Sequence, residues 1–224
     1  MSTAFLAAVA ARRSRYALSP KSSIPDEKLE GIIKSALLNA PSSFNSQSAR
    51  AVLVLGEKNQ KLWSLVRESA VAGLDGDRKD AAEKRIDGFT NSYGSVLFWE
   101  DQAVVDGLIA KIPAYGAIRP THVRSADLGV FFLMNRYATQ FPVWSQNGAG
   151  ILQYIVWTAL DAEGLGASLQ HYGANPALAS AIRAEFGLPE TWTSSAIMPF
   201  GVPAADAAAK SFAPIEDRFK VFKD

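Results

Sequence analysis

Cysteine is absent from the 224 residues, which excludes disulfides, thiolate nucleophiles, iron–sulfur clusters and thiolate zinc sites together. Histidine is scarce: His122 and His171 are the only two, a poor basis for a metal site, and no bound metal is expected. Neither sign of charge is in surplus. With 23 Lys and Arg against 22 Asp and Glu, the net charge of +1 leaves no broad basic face for nucleic acid, so any anion site must be local. No apolar run approaches the roughly 18 to 20 residues that cross a bilayer, and a soluble protein with no membrane segment is expected. Also missing are a G-x-G-x-x-G turn after a strand, a P-loop and a G-x-S-x-G elbow. Their absence argues against dinucleotide-fold, nucleotide-hydrolase and serine-hydrolase chemistry.

What is present suits one sizeable domain spanning residues 1–224, with 48% hydrophobic residues and no repeat or low-complexity linker. Ser2 or Thr3 caps a first helix through about Tyr16, and Pro25 opens a second whose Leu29, Ile32, Ile33, Ala36 and Leu37 share one face. Ala51 to Leu55 reads as a buried strand and Glu57 to Ala72 as a helix. Asp80 to Phe89 reads as a charged, exposed helix, Ser95 to Trp99 as a strand and Asp101 to Ile112 as a short helix. A loop with Pro113, Gly116 and Pro120 and a helix over Ser125 to Thr139 follow. A polar loop around Trp144, Ser145, Gln146 and Asn147 then leads into the apolar helix Gly148 to Glu163, the expected centre of the fold. Ala167 to His171 reads as a strand, Pro176 to Phe186 as a helix capped by Asn175, and Ser194 to Phe200 as the last strand. The tail beyond Lys210 carries Phe212, Phe219, Val221 and Phe222, too apolar for a free end.

Two features carry candidate chemistry. Behind Pro41, which stops the second helix, Ser42, Ser43, Asn45, Ser46, Gln47 and Ser48 crowd neutral hydrogen-bonding groups into one loop. That density fits either a ligand-holding loop or a helix end followed by Asx and Ser turns. Basic groups mark both ends of the chain, Arg12-Arg13-Ser14 near the start and Lys210 with Arg218 near the finish. Converging, they form a clamp for a phosphate monoester; apart, they are solvated surface charges.

Arg12-Arg13-Ser14 after an initial helix and Pro41-Ser42-Ser43-Phe44-Asn45-Ser46-Gln47 before a strand form the first half of a pattern. Gly164-Leu165-Gly166-Ala167-Ser168 after the central helix and Pro199-Phe200-Gly201 after the last strand complete it. In this order they resemble the FMN-dependent nitroreductases over nearly the whole chain. The ending from Lys210 to Arg218, KSFAPIEDR, is similar to a small branch found in fungi and some bacteria that includes a copper-induced nitroreductase.

This resemblance implies an α+β fold, with a central, mostly antiparallel sheet flanked by helices, in a homodimer whose extended C-terminal tails embrace the partner. It also implies FMN at the subunit interface and ping-pong reduction by NADH or NADPH of nitroaromatics, quinones or similar small aromatic oxidants, in a setting of oxidative stress. By motif, Arg12, Arg13 and Ser14 meet the FMN phosphate and ribityl chain, and Lys210 and Arg218 close from the other end. Pro41, Ser42, Ser43, Asn45 and Gln47 line the flavin from one subunit. The backbone around Leu169, Gln170 and His171 faces its N5 edge, and Gln146 is a further candidate. The flavin carries the chemistry, so no catalytic side chain is assigned; His171 is either a general acid or a structural histidine. Three positions depart from the family: Tyr16 and Phe212 stand where relatives often carry a basic residue, and His171 where they often carry Glu. A flavin-binding stress- or lipid-signalling protein with little turnover is the alternative. Trp144, Tyr115, Tyr93 and Phe89 are candidate walls of a substrate pocket. Residues 1–21 hold four basic side chains and no acid, as a mitochondrial presequence does. Because Arg12 to Ser14 is site material, a cytoplasmic protein is expected, with the nucleus also open.

Overall fold

The computed structural model describes the backbone of residues 2–116 and 140–224, and side chains for 2–111 and 140–224. The loop expected at Pro120 and the helix expected over Ser125 to Thr139 lie outside the described residues, as does the side chain of Tyr115.

Four strands form an antiparallel sheet in the order β1, β2, β4, β3. They are β1 (Ala49–Leu55), β2 (Gly94–Asp101), β3 (Gly166–Ala167) and β4 (Trp192–Gly201). The central strand β2 is apolar on both faces because helices cover both. Its alternate residues divide cleanly between two cores. Val96 and Phe98 face α2 (Asp26–Asn39) and α6 (Phe141–Ala162), through Leu29, Ile33, Leu152, Val156 and Leu160. Leu97 and Trp99 face α3 (Gly56–Val71), α4 (Gly76–Thr90) and α7 (Pro176–Phe186), through Leu62, Trp63, Ile86, Phe89 and Ile182. Two further helices, α1 (Ser2–Ala11) and α5 (Gln102–Gly116), complete the described elements. Among the described residues no helix is long and apolar enough to cross a membrane.

Several boundaries differ from expectation for local reasons. The first helix stops at Ala11 because the next residues are drawn to the sheet: Ser14 bridges Ala167, and Arg15 N donates to the Ala167 carbonyl at 2.9 Å. The polar stretch Trp144 to Asn147 is helical, the first turns of α6, with Pro142 in the favoured N-terminal position. Gln146 is therefore an exposed helix residue rather than a loop residue. Pro113 likewise falls inside α5, which runs to Gly116. The strand expected over Ala167 to His171 shrinks to Gly166–Ala167, with an isolated bridge from Gln170 to Ile197. Asn175 caps α7 as expected, its side-chain oxygen accepting from Ala177 N at 3.0 Å, and Gly187 ends that helix in the left-handed region (φ 62°).

Candidate functional site

The structure builds two candidate regions at opposite edges of the sheet. At the β3 edge the chain from Arg12 to Arg15 runs beside Ala167 and the base of the tail. Arg13 Nη2 donates to the Ala208 carbonyl. Arg15 Nη1 donates to the Ala205 carbonyl at 3.3 Å and lies 3.9 Å from Asp206. Arg12 stacks its guanidinium over Trp157 of α6, 4.2 Å from the ring centroid. Three buried donors here have no acceptor: Arg12 Nε, Arg15 Nε and Trp157 Nε1. An orphaned buried donor costs about 1 to 3 kcal/mol, so these three unpaired donors favour an additional acceptor, although Asp206 already lies 3.9 Å from Arg15.

On the same edge, Leu169, Gln170 and His171 line an open, mostly polar cleft with Tyr16, Tyr172 and Arg85 of α4. The His171 ring pairs Nδ1 with the Ser195 carbonyl at 3.3 Å, which leaves Nε2 as the ring's outward nitrogen. Arg85 escaped the sequence reading because it sits in a helix whose charges all look solvated. The fold brings it to the cleft beside Tyr16.

The second region is the loop at the β1 edge. Pro41 leaves Ala40 extended (φ −65°, ψ 125°) and ends α2. Phe44, Asn45 and Gln47 then all have positive φ, 55°, 51° and 50°. Left-handed backbone at residues other than glycine costs of order 1 to 3 kcal/mol each and persists only where the surroundings enforce it. Ser42 enforces it from within, its Oγ accepting from Gln47 N at 3.0 Å. From outside, Arg50 Nη1 donates to the Gln47 carbonyl at 2.7 Å. Phe44 projects from the loop, 69% exposed, in an aromatic group with Phe141 and Trp144.

Beneath the loop, Pro41, Ser42, Gln47 and Ser48 bound a cavity of about 40 Å³ with Ser145 and Glu100. Glu100 is 6% exposed. Its Oε2 accepts from Ser48 Oγ at 2.9 Å and from Ser145 Oγ, while Oε1 has no partner. Burial pushes its carboxyl above the usual carboxylate range; the two serines and Arg50 pull it back only in part, and Asp101 adds to the rise. Glu100 was not foreseen as a site residue because the sequence reading ended the strand at Trp99. Its one signal is an acid placed directly after the apolar run GSVLFW.

The two regions do not meet within one chain. The loop packs on α6 at Gly148, whose ideal Cβ would lie 3.6 Å from the Pro41 carbonyl, whereas Arg12 packs on Trp157. Nine helical residues separate them by about 14 Å, and β1 and β3 are a further three strand spacings apart, about 14 Å across the sheet. Lys210 lies with its Nζ over Phe212, 5.1 Å from the ring centroid, two residues beyond the carbonyl that Arg13 holds. Arg218 is turned on its own segment, donating to the Ala213 and Pro214 carbonyls at 3.0 and 3.3 Å. Ser43 and Asn45 stay in the short 3-10 turn of the loop. Of the expected pocket walls, Phe89 is buried core, and Tyr93 is engaged with Asp26 at 2.6 Å and with Phe200. Of those two and Trp144, only Trp144 borders the loop.

Comparison with known proteins agrees with this architecture. Residues 9–202 match the nitroreductase family. The nitroreductase FRM2 of Saccharomyces cerevisiae is 30% identical over 210 residues, covering 93% of this chain and 92% of that protein. The nitroreductase CinD from Lactococcus lactis, solved in complex with chloramphenicol, superposes with a TM-score of 0.79 at 35% identity, covering 98% of this chain and all of that one. The CinD complex with 4-nitrophenol gives 0.78 at 36% identity, again over 98% of this chain and 100% of the other. With a family match across most of its length and the same α+β layers as CinD, this chain belongs to the nitroreductase family.

Proposed function

We propose that the chain is an FMN-dependent oxidoreductase that uses NAD(P)H to reduce nitroaromatics, quinones or similar oxidants. It would act in the cytoplasm as a homodimer, with one nitroreductase-like domain, residues 1–224, in each subunit. The observation that carries this reading is the set of unpaired buried donors, Arg12 Nε and Arg15 Nε on the segment that holds Ser14 and Trp157 Nε1 on the ring under Arg12, which suits a phosphate monoester. Arg12, Arg13 and Ser14 hold that phosphate and the ribityl chain, and Lys210 and Arg218 approach from the tail. Leu169, Gln170 and His171 present backbone to the ring in the cleft that Arg85 borders. Bound there, FMN supplies two-electron transfer between NAD(P)H and the oxidant in alternating half-reactions.

The homodimer follows from the separation of the two regions. Pro41, Ser42, Ser43, Asn45 and Gln47 are too far from Arg12 and Leu169 to line the same ring, so the loop serves the partner's cofactor, with Gln146 beside it. An aromatic oxidant suits Phe44 and Trp144; CinD has been solved with the nitroaromatics chloramphenicol and 4-nitrophenol and also with nicotinic acid, which is aromatic without a nitro group.

Purified protein should show flavin absorbance and oxidise NAD(P)H when a quinone or 4-nitrophenol is added. Protein that stays colourless after incubation with FMN would overturn the cofactor. Yellow protein without turnover on any of several quinones and nitroaromatics would overturn the enzyme.

A further inference from the structure

The buried carboxyl of Glu100 joins three elements that the family reading leaves unconnected. Ser48 is the exit of the left-handed loop, Glu100 is the penultimate residue of β2, and Ser145 lies in the opening turns of α6. Both serine hydroxyls converge on one oxygen, Oε2. The other, Oε1, is buried without a partner in a residue that lines the cavity under Pro41, Ser42 and Gln47. At about 40 Å³ that cavity has room for a water, which needs ~10–15 Å³ and polar neighbours.

We propose that Glu100 is the positioning residue of the cofactor-facing loop: one oxygen ties Ser48 to Ser145, and the other supports Ser42 and Gln47 through a water in the cavity. This rests on the reading of that loop as a flavin contact. The loop needs such a support, because Phe44, Asn45 and Gln47 hold positive φ, the Ser42 to Gln47 bond constrains it from within, and Arg50 holds it from outside at one point, the Gln47 carbonyl. Among the described residues, the charged groups that act on Glu100 come from the sheet: Arg50 on β1, bonded to Asp101 at 2.9 Å, and Asp101 itself on β2. Among the cavity-lining residues, α2 and α6 contribute Leu37, Ser145, Gly148, Ala149 and Leu152, none of which titrates. The raised affinity of Glu100 for a proton agrees with a carboxylic acid whose Oε2 accepts twice and whose Oε1 carries the hydrogen. Glutamine reproduces that pattern, an accepting oxygen and a donating nitrogen.

The test compares Glu100→Gln, Glu100→Ala and Ser145→Ala in the full chain. Glu100→Ala should weaken FMN and riboflavin equally, by about tenfold, since the loop meets the ring rather than the phosphate. Ser145→Ala should act in the same direction and more weakly, and Glu100→Gln should keep wild-type affinity for both. Amide exchange at Asn45, Ser46 and Gln47, measured in flavin-free protein, should rise in Glu100→Ala and stay at the wild-type rate in Glu100→Gln. If Glu100→Ala leaves exchange and affinity unchanged, or Glu100→Gln behaves as Glu100→Ala does, the positioning role is wrong and the flavin reading stands. If wild-type protein binds neither flavin, the flavin reading fails and the exchange rates alone decide whether Glu100 holds the loop. Should Glu100→Ala fail to fold, exchange in Ser145→Ala decides: an unchanged rate overturns the role.

Discussion

The guanidinium carbon of Arg12 lies over the Trp157 ring, 4.2 Å from its centre, with the Arg12 Nε buried and unbonded. Stacking occupies the face of a guanidinium and leaves its in-plane N–H donors free, which pre-orients a fork for a phosphate. Arg12→Ala should therefore weaken FMN by about ten- to a hundredfold, or 1.5 to 3 kcal/mol, and riboflavin far less, because only FMN carries the phosphate. Arg218→Ala separates the two halves of the clamp. Its guanidinium bonds to its own tail in the single chain, so any loss of FMN affinity must come from a position it takes in the dimer. Titration of flavin fluorescence measures all four affinities. Wild-type FMN binding by Arg12→Ala would remove the clamp altogether.

Gly166 is where the N-terminal strand of the clamp meets β3. A Cβ there would lie 2.8 Å from both Cβ and Cγ of Arg15 and 3.0 Å from Cγ of Pro203. Arg15 cannot swing clear, since its backbone N is bonded to the Ala167 carbonyl at 2.9 Å. Gly166→Ala should cost about 1 to 3 kcal/mol of stability by overpacking and displace Ser14, lowering FMN affinity as well. Thermal unfolding with and without FMN checks both effects. An unchanged melting temperature would show that the approach is less tight than the structure has it.

Much of this was legible in the sequence because local rules decide it. Asn175 and Gly187 bound α7 by capping chemistry, Pro41 ends α2 by lacking an N–H, and Leu29 and Ile33 repeat at helical spacing. The misreadings share a cause, contact between segments remote in sequence. Basic residues after Ala11 look helical until Ala167 takes their hydrogen bonds, and Ser145 and Gln146 look like loop until α6 is seen to begin at Phe141. Glu100 and Arg85 were missed for the same reason. Nothing near Glu100 in the chain announces Ser145, and nothing near Arg85 announces Gln170.

Glu100 should also mark the pH dependence of stability. Its folded carboxyl is held above the ordinary value of 4.5 chiefly by burial, so between 4.5 and the raised value the folded chain binds the extra proton. Stability is then lost as pH rises through that window, because the buried acid must ionise or stay protonated against the solvent. Glu100→Gln is neutral throughout. Its melting temperature should match wild type below pH 4.5, exceed it by a growing margin as pH rises through that window, and keep a constant margin above it. Parallel curves for the two proteins would mean that the carboxyl is not perturbed.

The tail provides the last test, of assembly. From Phe212 to Phe222 it exposes five large apolar side chains by more than half, Phe212, Ile215, Phe219, Val221 and Phe222. Each buried aromatic or aliphatic side chain contributes about 1.5 to 3 kcal/mol, so leaving this set in water would forgo a substantial part of a domain's stability. A partner subunit is the surface that the proposed cofactor site, with its two regions apart in one chain, would also require. Ending the chain after Ala209 removes these side chains together with Lys210 and Arg218. The full chain should be a dimer by light scattering at micromolar concentration, and the shortened chain should dissociate more readily and hold FMN less tightly. FMN should in turn shift the shortened chain back toward dimer, since a ligand bound across an interface stabilises it by mass action. A shortened chain that stays dimeric with wild-type FMN affinity would confine the tail to packing on its own subunit. A full-length chain that is monomeric would instead separate the loop from Arg12 for good, and the shared site with it.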